Sequence, residues 1–179
     1  MVDPDVPDEL HLGDDVLVDL RNHRYWGLGT TGREVDVTVP ARITILTLGV
    51  ADLERAAGFY DRLGWRRSSA STADIVWFVT AGTVLGLSPF EELAADATMP
   101  AERRGGFGGI TLAINVADGG EVQPVLEAVE AAGGVILKPA TQMEWGGVSG
   151  YFADVDGYPW EVVWSPSFPM DGRGLLEMP

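Results

Sequence analysis

The chain has no cysteine, only two histidines, and 12 Lys+Arg against 27 Asp+Glu, a formal charge of −15 over 179 residues. Each shortage excludes something. Without cysteine there is no disulfide framework, thiolate zinc site, iron–sulfur cluster or thiol nucleophile. The scarcity of cations argues against a nucleic-acid partner, because phosphate-backbone affinity comes from Lys and Arg. No run of about 18 apolar residues is present, so no membrane span or membrane partner is expected. The opening Met-Val-Asp-Pro-Asp-Val-Pro-Asp-Glu-Leu is acidic and lacks the apolar core of a secretory signal. The cytoplasm is the expected location. Excess acid is compatible with a cationic ligand, but its ordinary role is to keep a protein soluble.

What is present is a hydrophobic fraction of 46%, which argues against disorder. The length suits one compact domain, at about 100–200 residues per domain. Residues 1–41 read as an amino-terminal arm or flap. They hold both histidines, His11 and His23, and carry nine acids against three bases. Val16 to Leu20 and Glu34 to Val39 alternate as short strands, and Gly27, Gly29 and Gly32 between them mark a loop, which predicts a two-stranded flap. The residues from 167 to 179 read as a Pro/Gly-rich tail.

Between arm and tail the pattern is regular. Ile43 to Val50 reads as a buried strand. Asp52 is a good N-cap, and Leu53, Ala56, Ala57 and Tyr60 follow at helical spacing up to Gly64. Asp74 to Thr80 and Thr83 to Leu87 read as strands. Ser88-Pro89-Phe90-Glu91 has the form of a capping box, which predicts a short helix to about Ala97. After a linker the order recurs. Gly109 to Val116 is a strand, and Val122, Val125, Leu126 and Val129 stripe a helix that starts near Asp118. Val135 to Leu137 is a short strand, and Val148 to Ala153 with Tyr158 to Trp164 form a hairpin. Val50 and Val116 are 66 apart, as are Asp52 and Asp118. The ordered recurrence defines a βαβββ module used twice: module one 42–90, linker 91–108, module two 109–166.

Leu48-Gly49-Val50-Ala51-Asp52-Leu53-Glu54-Arg55, with Phe59-Tyr60 and Leu63-Gly64-Trp65, resembles the first module of the vicinal oxygen chelate superfamily, which includes glyoxalases, bleomycin-resistance proteins and extradiol dioxygenases. Tyr151-Phe152-Ala153-Asp154-Val155-Asp156-Gly157-Tyr158-Pro159-Trp160-Glu161-Val162 resembles its second. The resemblance covers residues 42–166. It implies an α+β fold whose two βαβββ modules form curved mixed sheets around one pocket, often within a homodimer.

Enzymes of that superfamily hold a divalent metal by one side chain from each of four strands, and the ion acts as a Lewis acid. Carried over by the resemblance, those positions are Ile45, Leu85 or Leu87, Thr111 and Glu161. Only Glu161 is a competent donor, so no cofactor and no metal are expected. His11 and His23 have no metal spacing and read as surface residues. The resemblance aims Glu161 into an otherwise apolar cavity, as a ligand anchor or general base, or as a carboxylate satisfied by Thr111 or Thr47. Strand alternation puts it on one face with Val163, opposite Trp160, Val162 and Trp164.

Thr47, Ala113 and Asn115 share the inward face with Ile45 and Thr111 by the strand period of two. Thr47, Thr111 and Asn115 are therefore candidate ligand contacts, although a strand-end Asn more often bonds its own backbone. Trp77, Trp145 and Tyr151 are candidate pocket walls, a role that competes with core packing. Gly105-Gly106-Phe107-Gly108-Gly109 precedes a strand rather than a helix and is no nucleotide signature. Three functions compete. A small organic ligand bound without metal is favoured. A lyase, isomerase or hydrolase using Glu161 is the alternative. An interaction protein whose arm crosses to a partner subunit is the third.

Overall fold

The computed structural model describes residues 40–102 and 106–177, together with three short strands nearer the amino terminus. The chain divides into two units, Met1–Arg42 and Ile43–Pro179. In the first, β1 (Glu9–His11), β2 (Val16–Asp19) and β3 (Arg24–Gly27) form an antiparallel sheet in that order. The expected flap is thus corrected. Val16–Asp19 is a strand, but it pairs with Glu9–His11 and Arg24–Gly27, and Gly27 ends a strand rather than opening a loop. Glu34 to Val39 lies outside the described residues.

The second unit begins with β4 (Ile45–Val50), α1 (Leu53–Arg62), β5 (Arg66–Arg67), β6 (Val76–Val79) and β7 (Val84–Pro89), followed by α2 (Phe90–Asp96). It continues with β8 (Leu112–Asn115), a single 3-10 turn, α3 (Val122–Ala131), β9 (Val135–Gln142), β10 (Val148–Ala153) and β11 (Pro159–Trp164). This is βαβββ twice, as the repeat predicts. Each module makes one four-stranded mixed sheet, ordered β4-β7-β6-β5 and β8-β11-β10-β9. In each, the first strand lies parallel to the last. Parallel neighbours need a crossover, and the helix supplies part of it.

Local chemistry explains the helices. The Asp52 side chain accepts from the Arg55 backbone N–H at 2.8 Å, and Ala56, Ala57, Phe59 and Tyr60 form the buried face of α1. Gly64, at φ 80°, ends the turn in a conformation that a residue with a Cβ adopts at a cost. Asp118 accepts from the Gly120 N–H at 2.8 Å, and Val122, Leu126 and Val129 are the buried stripe of α3. The capping box before α2 does not form. Ser88 is buried within β7, Pro89 stands at the N-cap, and no side chain caps the helix.

The two modules share one core. Phe59 and Tyr60 of α1 meet Phe152 and Trp160 of the second sheet, at centroid distances of 6.5 and 6.1 Å. Polar groups clasp the same seam. The Tyr60 hydroxyl donates to Asp154 Oδ2 at 2.6 Å, and the backbone N–H groups of Asp156 and Tyr158 donate to Oδ1 at 2.9 Å. Asp156 Oδ1 accepts from the Ala51 N–H at 2.8 Å and from Arg55 Nη2 at 2.9 Å. The Tyr158 hydroxyl donates to the Gly49 carbonyl at 2.8 Å. Burial and the adjacent Asp154 carboxylate push the Tyr60 hydroxyl far above its ordinary pKa. Burial raises the Asp154 carboxyl, against the lowering effect of its three hydrogen bonds.

Candidate functional site

The register of the first sheet decides which side chains leave the core. Leu46 lies opposite Leu85, Thr47 opposite Gly86, and Leu48 opposite Leu87; Trp77 is also opposite Gly86. Leu48, Leu85, Leu87, Val76 and Phe78 are buried on the core side. Ile45, Thr47, Gly86 and Trp77 therefore share the other face. This corrects the assignment of a donor position to Leu85 or Leu87. Both point into the core, and the residue of β7 on the open face is Gly86. A Cβ there would lie 2.5 Å from Trp77 Cζ3 and 2.9 Å from Thr47 Oγ1. The Trp77 ring thus occupies the space that a side chain at this position would need.

On the second sheet the open face carries Ala113, Glu161, Tyr151 and Ser149. The Ser149 hydroxyl, itself buried, donates to Glu161 Oε1 at 2.6 Å. The partner of Glu161 is therefore Ser149, not Thr111 or Thr47, and the carboxylate is half-buried rather than enclosed in an apolar cavity. Burial and the neighbouring Glu161 carboxylate raise the pKa of the Tyr151 hydroxyl. Lys138 Nζ lies 5.6 Å from the centre of the Tyr151 ring. Thr111 is exposed, and its hydroxyl donates to the Leu112 carbonyl at 3.1 Å. Trp145 is 49% exposed and folds over Gly147.

These residues do not all converge. Thr47 and Trp77 sit together on the first sheet; Glu161 and Tyr151 sit together on the second. A cavity of about 840 Å³ lies at the seam between the modules, and of the candidate ligand contacts Thr47, Thr111, Asn115, Trp77, Trp145 and Tyr151 only Asn115 lines it. Its walls come from both edge strands and from the aromatic cluster: Leu46 of β4, Leu85, Leu112 and Ile114 of β8, Trp65 and Trp160. Trp65 and Trp160 meet edge to face at 5.7 Å. The turn at Thr80 to Thr83 and the carboxy-terminal Leu175 and Leu176 border it, with Leu175 seated over Gly82. Its polar groups include Arg66, Asn115, Thr80 and Thr83. No Asp, Glu or His is among its described lining residues. Sequence reasoning missed most of its lining, because the walls come from segments distant in the chain.

Of the four positions implied by the resemblance, with Gly86 replacing the two leucines, only Glu161 carries a donor able to hold an ion. No group of three or more His, Cys, Asp or Glu that could bind a metal occurs among the described residues. No helix among them is long and apolar enough to cross a membrane.

Residues 42–162 match the family model of the Glyoxalase/Bleomycin resistance protein/Dioxygenase superfamily. The fold agrees with a glyoxalase-related enzyme from Fulvimarina pelagi: 33% identity over 78% of this chain and 99% of that one, TM-score 0.71. A glyoxalase/bleomycin resistance protein/dioxygenase from Nocardioides is 26% identical over 73% of this chain and 86% of that one, TM-score 0.60. Lactoylglutathione lyase from Agrobacterium tumefaciens is 26% identical over 72% and 96% respectively, TM-score 0.55. No curated protein sequence matches. The chain belongs to the Glyoxalase/Bleomycin resistance protein/Dioxygenase superfamily.

Proposed function

We propose that this member of the superfamily binds a small organic molecule without a divalent metal. The observation that carries the reading is the cavity between the modules, about 840 Å³ and walled mainly by apolar and aromatic side chains, with no carboxylate or imidazole among its described lining residues. Its volume falls in the range of about 300–1,000 Å³ that small-molecule sites occupy, and a few polar groups amid apolar walls is their usual composition. A thermal-shift screen of small organic compounds with the purified protein tests it, run with and without EDTA. Stabilisation by one chemical series, unchanged by the chelator, is expected. Stabilisation that needs an added divalent cation overturns the reading.

A homodimer in the cytoplasm is the setting proposed for this activity. Exposed apolar residues on the sheets, among them Ile45 and Val79 on the first and Val135 and Leu137 on the second, support a second copy as partner. The lack of cysteine suits a reducing compartment. A monomeric mass by light scattering removes the dimer from the proposal.

A second reading rests on the pairing of Ser149 with Glu161 beside Tyr151. A carboxylate so held can accept a proton from a ligand carbon or hydroxyl, as a lyase or isomerase base does. For any substrate found, Glu161→Gln should then abolish turnover with folding intact by circular dichroism. Unchanged turnover rejects this role.

A further inference from the structure

We infer that the ligand of the inter-module cavity is an amphipathic anion: an apolar body carrying one carboxylate-like head, which Arg66 receives. This rests on the reading of the cavity as a ligand site and adds the ligand's charge and shape. The first ground is a mismatch between the cavity and the rest of the protein. The chain has 27 acidic residues in 179, yet among the described residues none lines the cavity, and the one charged side chain that does is the Arg66 guanidinium. A site for a cation would draw on the side chains this protein has in greatest supply. A site for an anion inside a molecule of charge −15 has to be cleared of carboxylates locally, because the overall field opposes it. The lining has that composition.

The second ground is the state of the neighbouring cations. Arg67 is committed: it donates to both oxygens of Asp61, at 3.0 and 2.7 Å, and lies 3.6 Å from Glu54. Arg62 donates to the Ala132 carbonyl at 2.9 Å. Arg66 makes no ion pair and no side-chain hydrogen bond among the described residues, so its fork of donors is open to a planar anion. β5 holds it at the cavity by pairing with Val79, whose side chain lines the same space. The third ground is the wall itself. Leu46, Leu85, Leu112, Ile114 and the Trp65–Trp160 pair offer a surface for hydrocarbon or aromatic rings, and Asn115 adds one amide.

The test uses the full chain and three probes of one length: octanoate, octan-1-ol and octylammonium. Binding is read by calorimetry and by tryptophan fluorescence, to which Trp65 and Trp160 contribute among six tryptophans. Octanoate should bind at least tenfold more tightly than either other probe. Arg66→Glu should weaken octanoate at least tenfold and strengthen octylammonium, and Arg66→Gln should fall between. Ala113→Trp, a substitution at an exposed position on the cavity lining, should remove octanoate binding while circular dichroism stays unchanged. If octan-1-ol binds as tightly as octanoate, and both are lost in Ala113→Trp, the anion assignment fails while the ligand cavity stands. If octylammonium is preferred, the assignment is reversed. If no probe binds, or binding persists unchanged in Ala113→Trp, the anion assignment and the cavity reading fall together.

Discussion

Trp77 over Gly86 shows how one missing side chain changes what a sheet can do. The ring lies where a Cβ would begin, so the open face of the first sheet presents an indole in place of a donor. Gly86→Ala forces Trp77 or Thr47 to move. Overpacking of this kind costs about 1–3 kcal/mol, and urea denaturation should show a loss of that size. In a Trp77→Ala background the same change should cost less, because the two residues compete for one volume. Tyr60 is the second position where one atom matters. Its hydroxyl satisfies a buried carboxylate oxygen of Asp154. Tyr60→Phe leaves that oxygen without its 2.6 Å partner, which should lower stability by about 1–3 kcal/mol. It should also raise the Asp154 pKa further, as measured by NMR titration, because a bond that favours the charged form is gone.

At the scale of elements, what could be read from the sequence was whatever repeats locally. Asp52 and Asp118 as start signals, and the stripes through Ala57 and Leu126, are set by neighbours within a few residues, so both long helices follow from the chain alone. The two-residue β5 carries no periodicity and exists only because Val79 and Phe78 pair with it. β9 runs to Gln142 although the apolar alternation fades after Leu137. Pairing with β10, through two register shifts, carries it on through Pro139. The capping box at Ser88 failed for a related reason: pairing with Gly49 of β4 claimed Ser88 for the sheet. The tail holds a compact element of its own. The Asp171 side chain accepts from the N–H groups of Arg173 and Leu175, and it pairs with the Arg173 guanidinium at 2.7 Å. These bonds hold the Asp171 pKa below the ordinary aspartate value, the bond from Leu175 first. A carboxyl with a depressed folded pKa stabilises above its unfolded value of about 3.9 and loses that contribution as pH falls through the folded one. Hydrogen exchange in residues 169–177 should therefore accelerate, beyond the intrinsic pH effect, as pH drops below the ordinary aspartate range. Asp171→Asn should remove that dependence.

At the scale of the whole molecule, the two modules form one cooperative body because the core runs through both. Phe59, Tyr60, Phe152 and Trp160 are each at most 5% exposed and touch across the seam. The Asp156 carboxylate, buried beneath a half-exposed Arg55, ties the second module to the start of α1. Calorimetry should give a single transition for the unit from Ile43 onward. Asp156→Ala should lower its stability by about 1–3 kcal/mol through loss of the bonds the Asp156 carboxylate accepts from the Ala51 N–H and Arg55, without splitting the transition. Two resolved transitions in the unaltered protein would show that the seam is not a shared core.

The sequence by itself determined the duplicated module, the start signals of the two long helices and the scarcity of histidine. These depend on spacing and residue type, and no folding can add an imidazole that the chain lacks beyond His23. The tertiary structure decided which residue of β7 faces outward, that Ser149 is the partner of Glu161, and where the cavity lies. Register fixes the first, since a shift of one residue exchanges Leu85 for Gly86. The second follows from the pairing of β10 with β11, which sets Ser149 opposite Val163 and Tyr151 opposite Glu161, so that Ser149 and Glu161 meet diagonally on one face. The third depends on the approach of two edge strands, a turn and the tail. Residues as far apart as Leu46, Ile114 and Leu175 carry no local sign that they will enclose one space.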